Sequence, residues 1–168
     1  VNELTSSGEW QVQEAEAADY TTRIVVFRPT EEIDFNKTVV VEWLNVSAGA
    51  DLGNDWMLAH TELMRSGYTW VGVSAQSRGV SALKTSNETR YAPLDHPGDS
   101  FSYSIFSQVA QLLRSKDDTG PLGSLDAETF LAAGESQSAT RILTYVNTLA
   151  PIDRMFEGYL IHSRYYSS

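Results

Sequence analysis

At 168 residues, with 42% apolar and 20% charged side chains, the chain is long enough to bury a core and too apolar for a disordered polymer. Twelve basic residues against 22 acidic ones give a net charge of −10, which repels phosphate backbones and anionic membranes and argues against nucleic-acid binding. There is no Cys, which excludes disulfides, thiol catalysis and Cys-ligated zinc.

A weak strand signal lies near Glu9 to Gln13. Thr22 to Arg28 is β-branched and aromatic and stops at Pro29, so it reads as a strand. Thr38 to Val46 is almost continuously apolar, the pattern of a strand covered on both faces. These two strands are expected to pair antiparallel. A helix is predicted over Asn54 to Ser66, capped by Asn54 or Asp55 and ended by Gly67. Tyr68 to Ser74 is the next buried strand. Residues 75–100 carry Gly, Pro, Asn and Asp throughout and read as a long loop. A helix over Phe101 to Leu113, a strand over Phe130 to Gly134, a helix over Gln137 to Leu149 stopped by Pro151 and a strand over Phe156 to Ile161 complete the series. Alternating strands and helices predict an α/β fold, a mostly parallel sheet with helices on both faces. Trp10, Trp43, Trp56 and Trp70 are expected to serve packing.

No apolar run approaches the roughly 20 residues that span a bilayer. The chain starts at Val1 without a recognisable signal peptide and stops just after a strand. It is therefore expected to be processed, or to be a piece of a longer chain. Three Asn-x-Ser/Thr triplets, at Asn36, Asn45 and Asn87, lean the localisation towards secretion.

The strongest chemical signal is Gly134-Glu135-Ser136-Gln137-Ser138, where a short strand runs straight into a helix. A Ser at such a join has two readings. It is either a helix N-cap or the nucleophile of a G-x-S-x-G elbow, whose strained turn exposes Oγ above the sheet. Small flanking residues favour the elbow, with Ser138 standing in place of the second Gly. Acyl transfer also needs two N–H donors for the oxyanion. One falls to Gln137, and the other to Val46 or Ser47 in the loop after the second strand. Gln76 and Ser77, at the end of the third strand, are positioned to touch substrate. His60, His96 and His162 have no zinc spacing, and the scattered Asp residues form no calcium loop, so no metal and no cofactor are implied.

Val41 to Asn45 (VEWLN), Gly72 to Gln76 (GVSAQ), His96 to Gln108 (HPGDSFSYSIFSQ) and Gly134 to Ala139 (GESQSA) resemble a family of bacterial and fungal α/β-hydrolase-domain proteins, serine-hydrolase or esterase-like. The resemblance runs from about Thr22 to Arg164. It implies a single α/β-hydrolase domain, of which residues 1–168 are the N-terminal part with later strands and helices missing. It implies a triad in the order Ser, acid, His and cleavage of an ester-like bond in a small molecule. That order puts acid and base beyond Ser168. His162 is then a pocket residue at the end of the last strand, His96 part of a local turn, and His60 an inert helix residue. The isolated piece is expected to be inactive, or paired with the remainder of the domain. The alternative is a hydrolase fold with a dead site that binds or scaffolds, to which Ser138 and the non-Gly loop at Val46 lend weight. A nucleotide-binding fold is disfavoured because the turn from Asn45 to Gly53 lacks G-x-G-x-x-G.

Overall fold

The computed structural model describes residues 3–4, 10–13, 16–115, 117 and 119–164. A short antiparallel ribbon, β1 (Glu3–Leu4) with β2 (Trp10–Gln11), comes first. It contains part of the weak predicted strand, while Glu9 lies outside the described residues. The main sheet is built from β3 (Ile24–Phe27), β4 (Thr38–Trp43), β5 (Thr69–Val73), β6 (Thr129–Glu135) and β7 (Gly158–His162). Their order is β3-β5-β4-β6-β7. Only β3 runs antiparallel, against β5, and the remaining pairs are parallel. The predicted mostly parallel α/β sheet is therefore present.

The expected pairing of the first two long strands is not. β3 lies beside β5, because β4 has β5 on one side and β6 on the other. The physical reason is burial. Val39 to Trp43 are all buried, which suits the middle of a sheet, whereas β3 is only half-buried and suits an edge.

Alternation along β4 divides the core. Val39, Val41 and Trp43 face the larger cluster, with Val71, Val73, Phe130 and Ala132. That face is covered by α4 (Ser102–Arg114) and α5 (Gln137–Thr148) through Phe106, Val109, Ala110, Leu113, Ile142 and Tyr145. Val40 and Leu44 face the opposite side with Trp70 and Ala133, beneath Trp56 and Leu63 of α1 (Asn54–Arg65). Gly67, at φ 74°, closes α1 in the left-handed conformation expected of a C-terminal glycine. The predicted caps Asn54 and Asp55 instead lie inside the helix, and the residue before it, Gly53, offers no side chain.

The predicted loop over residues 75–100 is largely helical: α2 (Ser77–Ser86) and α3 (Glu88–Tyr91). The signal that starts α2 is remote in sequence. Asp99 accepts from the Ser77 N–H at 2.9 Å and from its hydroxyl at 2.7 Å, capping the helix across 22 residues. After α5, a short α6 (Ala150–Asp153) carries Pro151 in its first turn, where proline is tolerated. Among the described residues no helix is long and apolar enough to cross a membrane.

Candidate active site

The carboxyl ends of β4, β5, β6 and β7 form one edge of the sheet, and Ser136 stands at it between β6 and α5. Its backbone has φ 56° and ψ −114°, a conformation a side-chain-bearing residue adopts only under strain. Ser136 occupies the N-cap position, yet its hydroxyl makes no capping bond. Its N–H donates to the His162 carbonyl at 3.2 Å, which ties the turn to β7.

The flanking residues show why the turn closes. A Cβ on Gly134 would lie 2.9 Å from Ile142 Cγ1 and 2.9 Å from the Ser138 backbone, so only glycine lets α5 approach β6 this closely. Ser138 is 1% exposed and fits as it stands. Its hydroxyl accepts from the Glu135 N–H at 3.0 Å and donates to the Glu135 carbonyl at 2.8 Å. The departure from glycine thus adds two bonds across the turn rather than disturbing it.

The loop after β4 is clasped from several sides. Asn45 and Leu52 exchange two backbone bonds of 2.9 Å. Asn45 Nδ2 donates to the Glu135 carbonyl at 3.0 Å, fastening the loop to the Ser136 turn. Asp51 accepts from Arg23 Nη2 at 3.0 Å and from the Ser74 hydroxyl at 2.5 Å. Within the loop the two predicted donors part company. The Ser47 N–H is taken by Asn45 Oδ1 at 2.8 Å. The Val46 N–H faces the Gln137 side chain instead, with Oε1 at 3.5 Å. Gln137 is the first residue of α5, so its own N–H has no intrahelical acceptor.

Gln76 is 3% exposed and links these parts. Its Oε1 accepts from Trp43 Nε1 at 3.1 Å and from Gln137 Nε2 at 2.9 Å. Its Nε2 donates to Asp99 Oδ2 at 3.2 Å, and Arg141 Nη2 reaches the same oxygen at 3.3 Å. Burial alone would raise the Asp99 pKa. The Ser77 hydroxyl and N–H, the Gln76 amide and the Arg141 charge outweigh it and hold the carboxyl below its usual range.

On the α1 side of the same edge is a second cluster that sequence reading missed. Glu42 accepts from the N–H groups of Asp55 and Trp56 at 2.9 and 3.0 Å and from Trp70 Nε1 at 2.9 Å. It is therefore the cap of α1, supplied from a neighbouring strand. Burial, partly offset by the Asp55 N–H, pushes its pKa up to about 7. The available signal was a lone carboxylate in the otherwise apolar VVVEWL. Asn54 Nδ2 donates to Glu135 Oε2 at 2.6 Å, and His162 Nε2 lies 2.6 Å from Asp55 Oδ1. Asp55 Oδ2 is buried with no partner.

None of the three histidine rings hydrogen-bonds the Ser136 hydroxyl among the described residues. The His162 ring is held by Asp55 and lies 3.3 Å from the Ser163 hydroxyl. His96 accepts from the Gly98 N–H at 3.1 Å in a local turn, and its other ring nitrogen lies 3.0 Å from the Ala75 carbonyl, 21 residues away, which ties that turn to the end of β5. His60 is exposed on α1 against the Trp56 carbonyl. No group of three His, Asp or Glu among the described residues could hold a metal ion. Asn45 is 3% exposed with its amide nitrogen already donated, which leaves no room for a glycan there. A cavity of about 830 Å³ lies elsewhere, between α4, α5 and residues 12–13 and 16–20, and among the described residues its lining holds neither His, Lys nor Arg.

A family model described as an alpha/beta hydrolase domain matches residues 1–168. Among solved structures, the chain is similar to XC6422 from Xanthomonas campestris, described as an a/b serine hydrolase without a lid. Identity is 16% and the TM-score 0.43, over 76% of this chain and 56% of that one, so the chain spans little more than half of that protein's length. No curated protein matches the chain.

Proposed function

The chain belongs to the alpha/beta hydrolase domain family, and from that premise we propose that it is a serine hydrolase whose nucleophile is Ser136. One observation carries the reading: Ser136 sits in a strained left-handed turn, between strand and helix, with its hydroxyl relieved of any capping role. A cap Ser needs neither the strain nor the freedom.

In this reading Ser136 Oγ attacks the carbonyl carbon of a small ester-like substrate while a general base takes its proton. The C–O bond to the alcohol breaks, and the alcohol leaves with a proton. Water then attacks the acyl-enzyme, releasing the carboxylic acid and restoring the hydroxyl. The Gln137 N–H, at the positive end of α5, and the Val46 N–H stabilise the oxyanion. The general base is not assigned to His60, His96 or His162, none of which hydrogen-bonds the Ser136 hydroxyl among the described residues. Gln76 supports the site through Gln137, and His162 borders it at the end of β7. No cofactor enters the scheme. The stitching of the turn by Ser138 removes one ground for reading the site as inactive.

The test is turnover. With p-nitrophenyl acetate and butyrate as probes, and the chain assayed together with the remainder of its domain, Ser136→Ala is expected to lower kcat about a thousandfold or more. Equal turnover by the folded variant would exclude Ser136 as the nucleophile.

A further inference from the structure

We infer that the Gln137 side chain is a latch on the oxyanion site, resting against the Val46 N–H until a substrate carbonyl displaces it. The inference deepens the serine-hydrolase reading and rests on it.

The direction of the amide follows from its neighbours. The Trp43 indole N–H can only donate, so the Gln76 group facing it is the oxygen. The Gln76 nitrogen then faces Asp99, whose ionised carboxylate can only accept. Gln137 meets the same Gln76 oxygen at 2.9 Å and must present its nitrogen there. Its own oxygen is left pointing at Val46. Gln76 is buried, so the register of this chain is set from the core outward.

The outcome is a carbonyl oxygen parked at a donor that the reaction needs. Ser47 cannot replace Val46, because its N–H is held by Asn45. The Val46 contact is long, at 3.5 Å, whereas the Gln76 contact is 2.9 Å. Rotation of the Gln137 amide therefore breaks the weaker bond first, and an incoming oxygen can take the donor over. Gln137 acts here as a positioning residue through its side chain, apart from its backbone N–H.

The experiment, on the chain together with the remainder of its domain, compares wild type with Gln137→Ala and Gln137→Met, both of which keep the backbone donor and remove the amide oxygen. The readouts are the second-order rate of labelling by a fluorophosphonate and the KM and kcat for p-nitrophenyl acetate. Both variants are expected to label about three- to tenfold faster, and to raise kcat/KM by a similar factor. Labelling of the variants alone would support a tighter latch. Wild-type labelling with unchanged or slower variants, or a loss confined to kcat, would overturn the latch and leave the hydrolase reading standing. No labelling of any form would overturn both.

Discussion

Ser136 holds φ 56° where most side-chain-bearing residues do not go, and such backbone strain costs about 1–3 kcal/mol. Glycine relieves it, since it has no Cβ to clash. Ser136→Gly is accordingly expected to be more stable than Ser136→Ala by about 1 kcal/mol or more in urea denaturation, with both inactive. An Ala variant as stable as the Gly variant would mean that the turn is not strained. The motif itself was legible, because Gly134, Ser136 and the small residues around them form a local pattern. The partners of Gln137 were not. Gln76 and Val46 come from the ends of other strands, and only the order of β5, β4 and β6 brings them to α5. The same holds for the loss of Ser47 as a donor, which depends on one rotamer of Asn45.

Two helices start on carboxylates that are remote in sequence, Asp99 for α2 and Glu42 for α1. This explains both element-level surprises: the loop that proved helical and the caps expected at Asn54 and Asp55. Capping rules look a few residues along the chain, and these caps lie 22 and 13 residues away. Glu42 also makes a pH prediction. Its pKa is raised from 4.5 to about 7, so the folded state binds its proton more tightly than the unfolded chain. The resulting stabilisation is full below about pH 4.5 and is lost as the pH rises through about 7. Relative to Glu42→Gln, wild type is expected to lose on the order of 2–3 kcal/mol across that window. A difference between the two proteins that stays flat with pH would contradict this origin. Glu42→Leu, which orphans three donors, is expected to cost about 3 kcal/mol or more at pH 5, read as a shift of the urea midpoint at constant slope.

For the molecule as a whole, the alternation of strands and helices was enough to predict a mostly parallel sheet. It could not order the strands, because that order is decided by which strand is buried on both faces. β4 takes the centre, which displaces β3 to the far side of β5 and sets Trp43, Gln76 and Gln137 side by side. The hydrolase family supplies the expectation of chemistry at the carboxyl edge of that sheet, and the geometry of Ser136 supplies the candidate atom. The most direct test is to expose the folded chain, together with the remainder of its domain, to a fluorophosphonate and locate the adduct by peptide mass spectrometry. A single adduct on Ser136, lost in Ser136→Ala, is the predicted result. A folded protein that stays unlabelled, or that carries the adduct on another residue, would contradict the assignment.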